Sequence, residues 1–174
     1  QGERGLLPKG VVEQRLIEIA QGLNRLRGES VARVRDDPAT LLRKVPLFAE
    51  LPAEEMAPLL RKLAPHTLEA GAAIVRQGEL GDTLFLIARG VVRITREEGG
   101  EIHPLGTLMA GDFFGEMALM GRGSRAASVL TVSPCRVYTL RRDDLMEIMA
   151  RHPTIQQILE SADAKRREQM RRQA

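Results

Sequence analysis

The sequence predicts a mostly β fold, a β-barrel or jelly roll, with α-helices at both ends. Three observations predict it. From His66 to about Leu140, short apolar runs alternate with glycine turns, as in a chain folding back and forth in strands. On both sides of that region the apolar residues recur instead at the steps of three and four of a helix face. The chain has 174 residues, 43% of them hydrophobic, enough for one well-buried domain plus an appendage and too few for two ordinary domains.

In chain order, residues 1–40 form a linker helix region. Val12, Leu16, Ile19, Leu23 and Leu26 share one helical stripe, a packing seam shorter than a coiled coil requires. Gly22 and Gly28 each cost such a helix about 1 kcal/mol relative to alanine, so it needs a partner surface. Asp36-Asp37-Pro38 breaks the pattern, and the compact domain is expected over 41–174. Leu41, Leu42, Val45, Leu47 and Phe48 are too apolar for a free linker. Pro52-Ala53-Glu54-Glu55 opens a second helix, with proline and acids in its first turn. Met56, Leu59, Leu60 and Leu63 line its inner face, and Pro65 is its expected stop.

The β-roll is expected over about 66–140. Its runs include Ala73-Ile74-Val75, Thr83 to Ile87, Val91 to Thr95, Ile102 to Leu105, Ala127 to Val132 and Arg136 to Leu140. After Leu140 the helical period returns. Asp143 or Asp144 can cap a helix holding Leu145, Met146, Ile148 and Met149, which ends at His152-Pro153. A last helix runs over about 154–172, with Ile155, Leu159, Ala162 and Arg166 on one face.

Composition narrows the function classes. Aromatics are scarce at 3% and tryptophan is absent, which argues against stacking platforms for nucleic acid. The net charge is only +3, and the basic residues are overwhelmingly arginine, whose planar fork grips phosphate in two places. One cysteine, Cys135, excludes an internal disulfide and suits a reducing compartment. No signal peptide and no membrane-length apolar run is present. The chain opens on Gln1 rather than methionine, which suggests a piece of a larger protein. His66, His103 and His152 are isolated, with no His-x-His pair, so neither a metal centre nor catalysis is expected.

One stretch interrupts the strands. Phe114-Gly115-Glu116-Met117-Ala118-Leu119 is followed after a gap by Arg125-Ala126-Ala127. Gly115 lets the backbone approach a ligand, and the residues after it can open a short helix whose first amides attract anions. Glu116 fits beside a phosphate if it accepts a hydrogen bond from a sugar hydroxyl while Arg125 supplies the opposite charge. A ribose phosphate satisfies both demands. On this segment alone, an ordinary glycine turn with a surface arginine explains the residues equally well.

A second pattern changes that balance. Ile74-Val75-x-x-Gly78-Glu79-x-Gly81-x-x-Leu84-Phe85-Leu86-Ile87-x-x-Gly90 resembles the first signature of the cyclic-nucleotide-binding domain family. The segment from Phe114 to Ala127 resembles that family's phosphate-binding cassette. Their order, between leading helices and two trailing ones, extends the resemblance over about 41–172.

The resemblance implies an eight-stranded jelly-roll β-barrel with N-terminal helices and two C-terminal helices. It implies that Glu116 holds the ribose hydroxyl and that Arg125 pairs with the cyclic phosphate, with the amides of Gly115, Ala118 and Ala126 completing the cradle. Phe114, Met117, Leu119 and Ala127 form the rest of the cassette. Members preferring cGMP usually carry threonine after the cassette arginine. Here that residue is Ala126, which favours cAMP. The last helix acts as a lid over the base in this family, and bacterial cyclic-nucleotide-gated potassium channels place an arginine on it. Arg166 falls at that position, expected to stack on or bond to the adenine, with Ile155, Leu159 and Ala162 covering the pocket below.

The expected function is a cAMP-binding regulatory domain, without catalytic residues, metal or cofactor. It gates a larger bacterial membrane transport protein, an ion channel or cation/proton antiporter, from the cytoplasmic face of the inner membrane. Its partners are then the nucleotide and a membrane-embedded domain of the same polypeptide, with oligomers formed through the parent protein and no nucleic acid. The alternative is a cAMP sensor serving a soluble partner, of the transcription-factor or kinase-regulatory type. In either case nucleotide binding is expected to shift the population toward a closed lid and to move the front helices.

Overall fold

The structure, a computed structural model, describes residues 37–173 apart from Arg122, all within the unit Asp36–Ala174. The stripe from Val12 to Leu26 lies outside the described residues. Eight strands alternate with turns in this part of the chain: β1 (Ala64–Leu68), β2 (Ala73–Val75), β3 (Thr83–Arg89), β4 (Val91–Glu98), β5 (Glu101–Met109), β6 (Phe113–Phe114), β7 (Ser128–Thr131) and β8 (Cys135–Arg141). They form two four-stranded sheets, ordered β1-β8-β3-β6 and β2-β7-β4-β5, with every pairing antiparallel. This is the expected jelly roll.

Burial explains the near-continuous apolar runs of β3 and β8. Ile87 and Val137 turn into the roll with Val75, Val92, Phe114 and Val129. Leu84, Leu86, Tyr138 and Leu140 point the other way, into a second core under the helices. Successive strand residues face opposite sides, so a strand apolar at every position is one buried on both faces. One sheet thus serves as the wall between the roll and the helical layer.

That layer contains α1 (Pro38–Arg43), a 3-10 turn (Pro46–Phe48), α2 (Ala53–Lys62), α4 (Arg142–Arg151) and α5 (Pro153–Gln173), while the short α3 (Glu116–Met120) lies in the cassette. Leu42, Leu47, Phe48 and Leu59 from the front helices meet Leu145, Ile148, Ile155 and Leu159 from the rear ones. The helices that precede and follow the roll therefore share one core.

The helix ends differ from expectation in detail. Pro52 precedes α2 as its cap residue, and the helix ends at Lys62, where Leu63 turns extended, so Pro65 is already in β1. Pro58 sits inside α2. Asp143 and Asp144 lie within the first turn of α4, where they favour the positive end of the dipole, and no side chain caps that helix. β5 is longer than its apolar run, because its polar residues pair with β4 as an exposed hairpin ending at Gly99-Gly100.

Candidate functional site

The two sequence patterns meet in space. The loop between β2 and β3 is pinned to the end of the cassette by backbone bonds: Gly78 N donates to Arg125 O at 2.8 Å, Arg125 N to Glu79 O at 2.8 Å, and Gly81 N to Gly123 O at 2.7 Å. Gly81 also lies against the Arg125 side chain, where an added Cβ would come within 2.2 Å of Nε. Gly115 precedes α3 with φ 98°, a left-handed conformation that favours glycine, and a Cβ there would lie 2.7 Å from Thr83 O. The glycines thus bring three backbone segments and one guanidinium into close contact.

Arg125 is 7% exposed, unusual for an arginine. Its guanidinium lies 5.3 Å from the centre of the Phe85 ring, and Phe85 is stacked on Phe114 at 4.8 Å. Nη1 donates to Gly115 O at 3.3 Å. Burial pulls the guanidinium pKa down, while Asp82, Glu116 and Glu79 act in the opposite direction. No ion pair of Arg125 occurs among the described residues. Its charge is held at a cavity wall by packing and carbonyl contact, which suits it to receive an anion.

Glu116 is more deeply buried, at 1% exposure. Arg166 Nη1 donates to its Oε2 at 2.5 Å, and Arg166 Nη2 to Phe113 O at 2.6 Å. Next along α5, Arg167 donates from Nε to both carboxylate oxygens of Asp163 at 2.9 Å, and its Nη2 reaches Met117 O at 3.5 Å. Two consecutive arginines thus fasten the helix to the cassette.

Between cassette and helix is a cavity of about 140 Å³, roughly the room of one benzene ring. Phe114, Gly115, Glu116, Met117, Ala118, Arg125, Ala126 and Ala127 all line it, as does Arg166. At Met117, Arg125, Ala126 and Met170 it adjoins an outer groove of about 550 Å³ that also includes Arg96, Arg167 and Arg171. Leu119 is buried in the core beneath the helices instead. Ile155 and Leu159 are core residues too, and Ala162 packs against the same cluster, so these three anchor α5 and do not cover the pocket. The reason is length: Ile155 and Arg166 are separated by about 16 Å along a helix axis. Gln169 and Met170 are the other α5 residues at the cavity.

A model of the family described as "Cyclic nucleotide-binding domain" matches residues 65–152. The chain belongs to the cyclic nucleotide-binding domain family. It is 34% identical over 127 residues to a cyclic nucleotide-gated potassium channel of Rhizobium etli, covering 73% of this chain and 34% of the channel. It is 36% identical over 118 residues to isozyme 1 of the cGMP-dependent protein kinase of Drosophila melanogaster, covering 66% of this chain and 15% of the kinase. The chain therefore spans about a third or less of these relatives. Among solved structures it resembles the Thermus thermophilus catabolite activator protein, with TM-score 0.64, 34% identity, and coverage of 72% of this chain and 59% of that one. The regulatory domain of Toxoplasma gondii PKA with cAMP is also similar, with TM-score 0.59, 29% identity, and coverage of 63% and 42%.

Domains of this family are regulatory, and the relatives that are enzymes carry their catalysis elsewhere in the chain. In this cyclic nucleotide-binding domain three contributors escaped the sequence reading of the site. Gly81 and Phe85 both lie against the Arg125 side chain, and Phe113 lends its carbonyl and ring to Arg166. Gly81 and Phe85 stand in the first signature, and that signature's coincidence with the cassette was the available signal. The Phe113 carbonyl had none, because a backbone acceptor is independent of residue type.

Proposed function

We propose that this domain binds cAMP, with the cyclic phosphate on Arg125 and the ribose on Glu116, and that it gates a larger bacterial membrane transport protein. One observation carries the nucleotide assignment: a buried carboxylate and a buried guanidinium line the same small cavity, joined by a glycine backbone. A phosphate needs the cation and a sugar hydroxyl needs the acceptor. Ala126 at the cavity wall, without a hydroxyl to bond guanine, supports cAMP over cGMP. Isothermal titration with both nucleotides tests the assignment. Binding of cAMP, and tighter than cGMP, is expected, and no heat from either at high micromolar concentration would sink it.

The similarity to the Rhizobium etli channel supports the transporter context, with the domain on the cytoplasmic side of the inner membrane and assembled through its parent protein. No helix among the described residues is long and apolar enough to cross a membrane, so spans would have to lie elsewhere in that parent. The 34% identity to the Thermus thermophilus catabolite activator protein favours a second reading, a sensor for a soluble partner. The sequence preceding Gln1 in the gene separates the two. Several apolar runs of about twenty residues support the transporter, and a polar stretch supports the soluble regulator.

A further inference from the structure

The outer groove holds more positive charge than one phosphate requires. Four of its nine lining residues are arginines, Arg96, Arg125, Arg167 and Arg171, and none is acidic. Two of the four are neutralised by acids that do not line it: Arg96 Nη2 pairs with Glu98 at 2.6 Å, and Arg167 Nε with Asp163 at 2.9 Å. Arg125 and Arg171 have no ion pair among the described residues. Arg167 and Arg171 stand one turn apart on α5, a spacing at which like charges disfavour a helix and a bound anion relieves them. The opposite side of the groove is fixed by backbone. Gln77 Nε2 donates to Glu97 O at 3.1 Å and Glu97 N donates to Gln77 Oε1 at 2.8 Å, so the hairpin that carries Arg96 is fastened to the loop whose Gly78 N is bonded to Arg125 O. With the Gln77 amide so engaged, the arginines are the groove's side-chain donors.

On the reading of the inner cavity as a ribose-phosphate pocket, we propose that the site also accepts a nucleotide with a second phosphate, and that the outer groove is the subsite for it. A ligand with one phosphate satisfies Arg125 and leaves Arg171 without an anion. A cyclic dinucleotide supplies both, because it repeats the ribose phosphodiester. One half seats on Glu116 and Arg125, and the phosphate of the other half lies among Arg171, Arg167 and Arg96. Arg125 lines both spaces, so a ligand seated on it extends from one into the other without leaving its charge. The room is on the outer side, about 550 Å³ against about 140 Å³ within. Met117 and Met170 line both spaces as well, and their flexible thioethers suit the face of a second base.

Isothermal titration and competition with cAMP and cyclic di-AMP, repeated over a series of salt concentrations, test this. Cyclic di-AMP is expected to bind one molecule per domain and to be displaced by cAMP. Its affinity should fall with added salt more steeply than that of cAMP, since it carries two charges where cAMP carries one. Arg171→Glu is expected to weaken cyclic di-AMP by roughly 10-fold, the low end for hydrogen bonds to charged groups, and cAMP by less than about 3-fold, the effect of an exposed charge beyond contact. Arg171→Gln repeats the comparison without reversing the charge, should circular dichroism show Arg171→Glu to be unfolded. Equal losses for both ligands would overturn the inference, as would simultaneous binding of the two without competition, because the groove would then be a separate anion site. A domain that binds cAMP but takes up no cyclic di-AMP at high micromolar concentration also overturns it and leaves the cAMP assignment standing. A folded domain that binds neither overturns both.

Discussion

The two walls of the cavity are built in different ways. The cassette wall is held by backbone: Gly78, Gly81 and Arg125 are hydrogen-bonded through main-chain atoms, and Gly115 leaves no space for a side chain. The helix wall is held by its two ends. At its root Ile155 and Leu159 are buried in the core shared with the front helices, while near its tip Arg166 and Arg167 reach the cassette through side chains alone. Backbone contacts are insensitive to residue type and share in the cooperativity of the sheet, whereas a side-chain clasp can open without unfolding either partner. On the proposed reading as a sensor, the first wall would hold the ligand and the second would report it.

The largest effect is expected at the root of the helix wall. Leu159 is fully buried, so Leu159→Ala should destabilise the domain by about 2–5 kcal/mol in chemical denaturation. An unchanged midpoint would mean that α5 is attached only at its tip, and the contrast between root and tip would fail. Arg125→Ala comes next. It removes a charge-assisted contact and should cost about 1.5–3 kcal/mol of cAMP binding by titration.

Gly81→Ala sharpens the comparison within the cassette wall. Its Cβ would collide with the Arg125 side chain, which must move, so affinity should fall by a fraction of the Arg125→Ala loss. Gly78→Ala is the control: φ is 85° but no atom lies within 4 Å of an added Cβ. It should cost about 1–2 kcal/mol of stability, the strain of a left-handed residue, and leave affinity unchanged.

The smallest effect is expected at the far side of the helical layer. Lys62 Nζ donates to Asp144 at 2.9 Å and to Glu147 at 2.6 Å, linking α2 to α4 on the surface. Glu147 raises the Lys62 pKa first, then Asp144, and Lys62 in turn lowers that of Glu147. The lowered Glu147 pKa means its contribution is present above the unfolded value and is lost as pH falls through the folded one. The raised Lys62 pKa means the contribution is lost again at high pH. Lys62→Ala should therefore shift the thermal midpoint slightly near neutral pH and not at all in strong acid, since exposed pairs contribute little.

Much of this architecture is legible without coordinates. Alternation of short apolar runs with glycine turns marks strands because side chains on a strand change face at every residue. The cassette is legible because Gly115, Glu116 and Arg125 lie close in the chain and serve one local geometry. The helix wall is less so. The stripe of Ile155, Leu159, Ala162 and Arg166 is a real face of α5, yet its root enters the core while its tip reaches the cavity. Periodicity reports which residues share a face, but it does not report where along the helix that face passes from one neighbour to another.

What local pattern determines, then, is the strand order of events, the helix faces and the residue types of the cradle, since each depends on neighbours within a few positions. What only the folded chain decides is which distant groups share a charge. Arg166 is separated from Glu116 by fifty positions, and its bonds to Oε2 and to the Phe113 carbonyl exist because α5 crosses the mouth of the cassette. A hydrogen bond depends on distance and angle to within a few tenths of an ångström, and spacing along the chain cannot supply that for residues brought together by a common core.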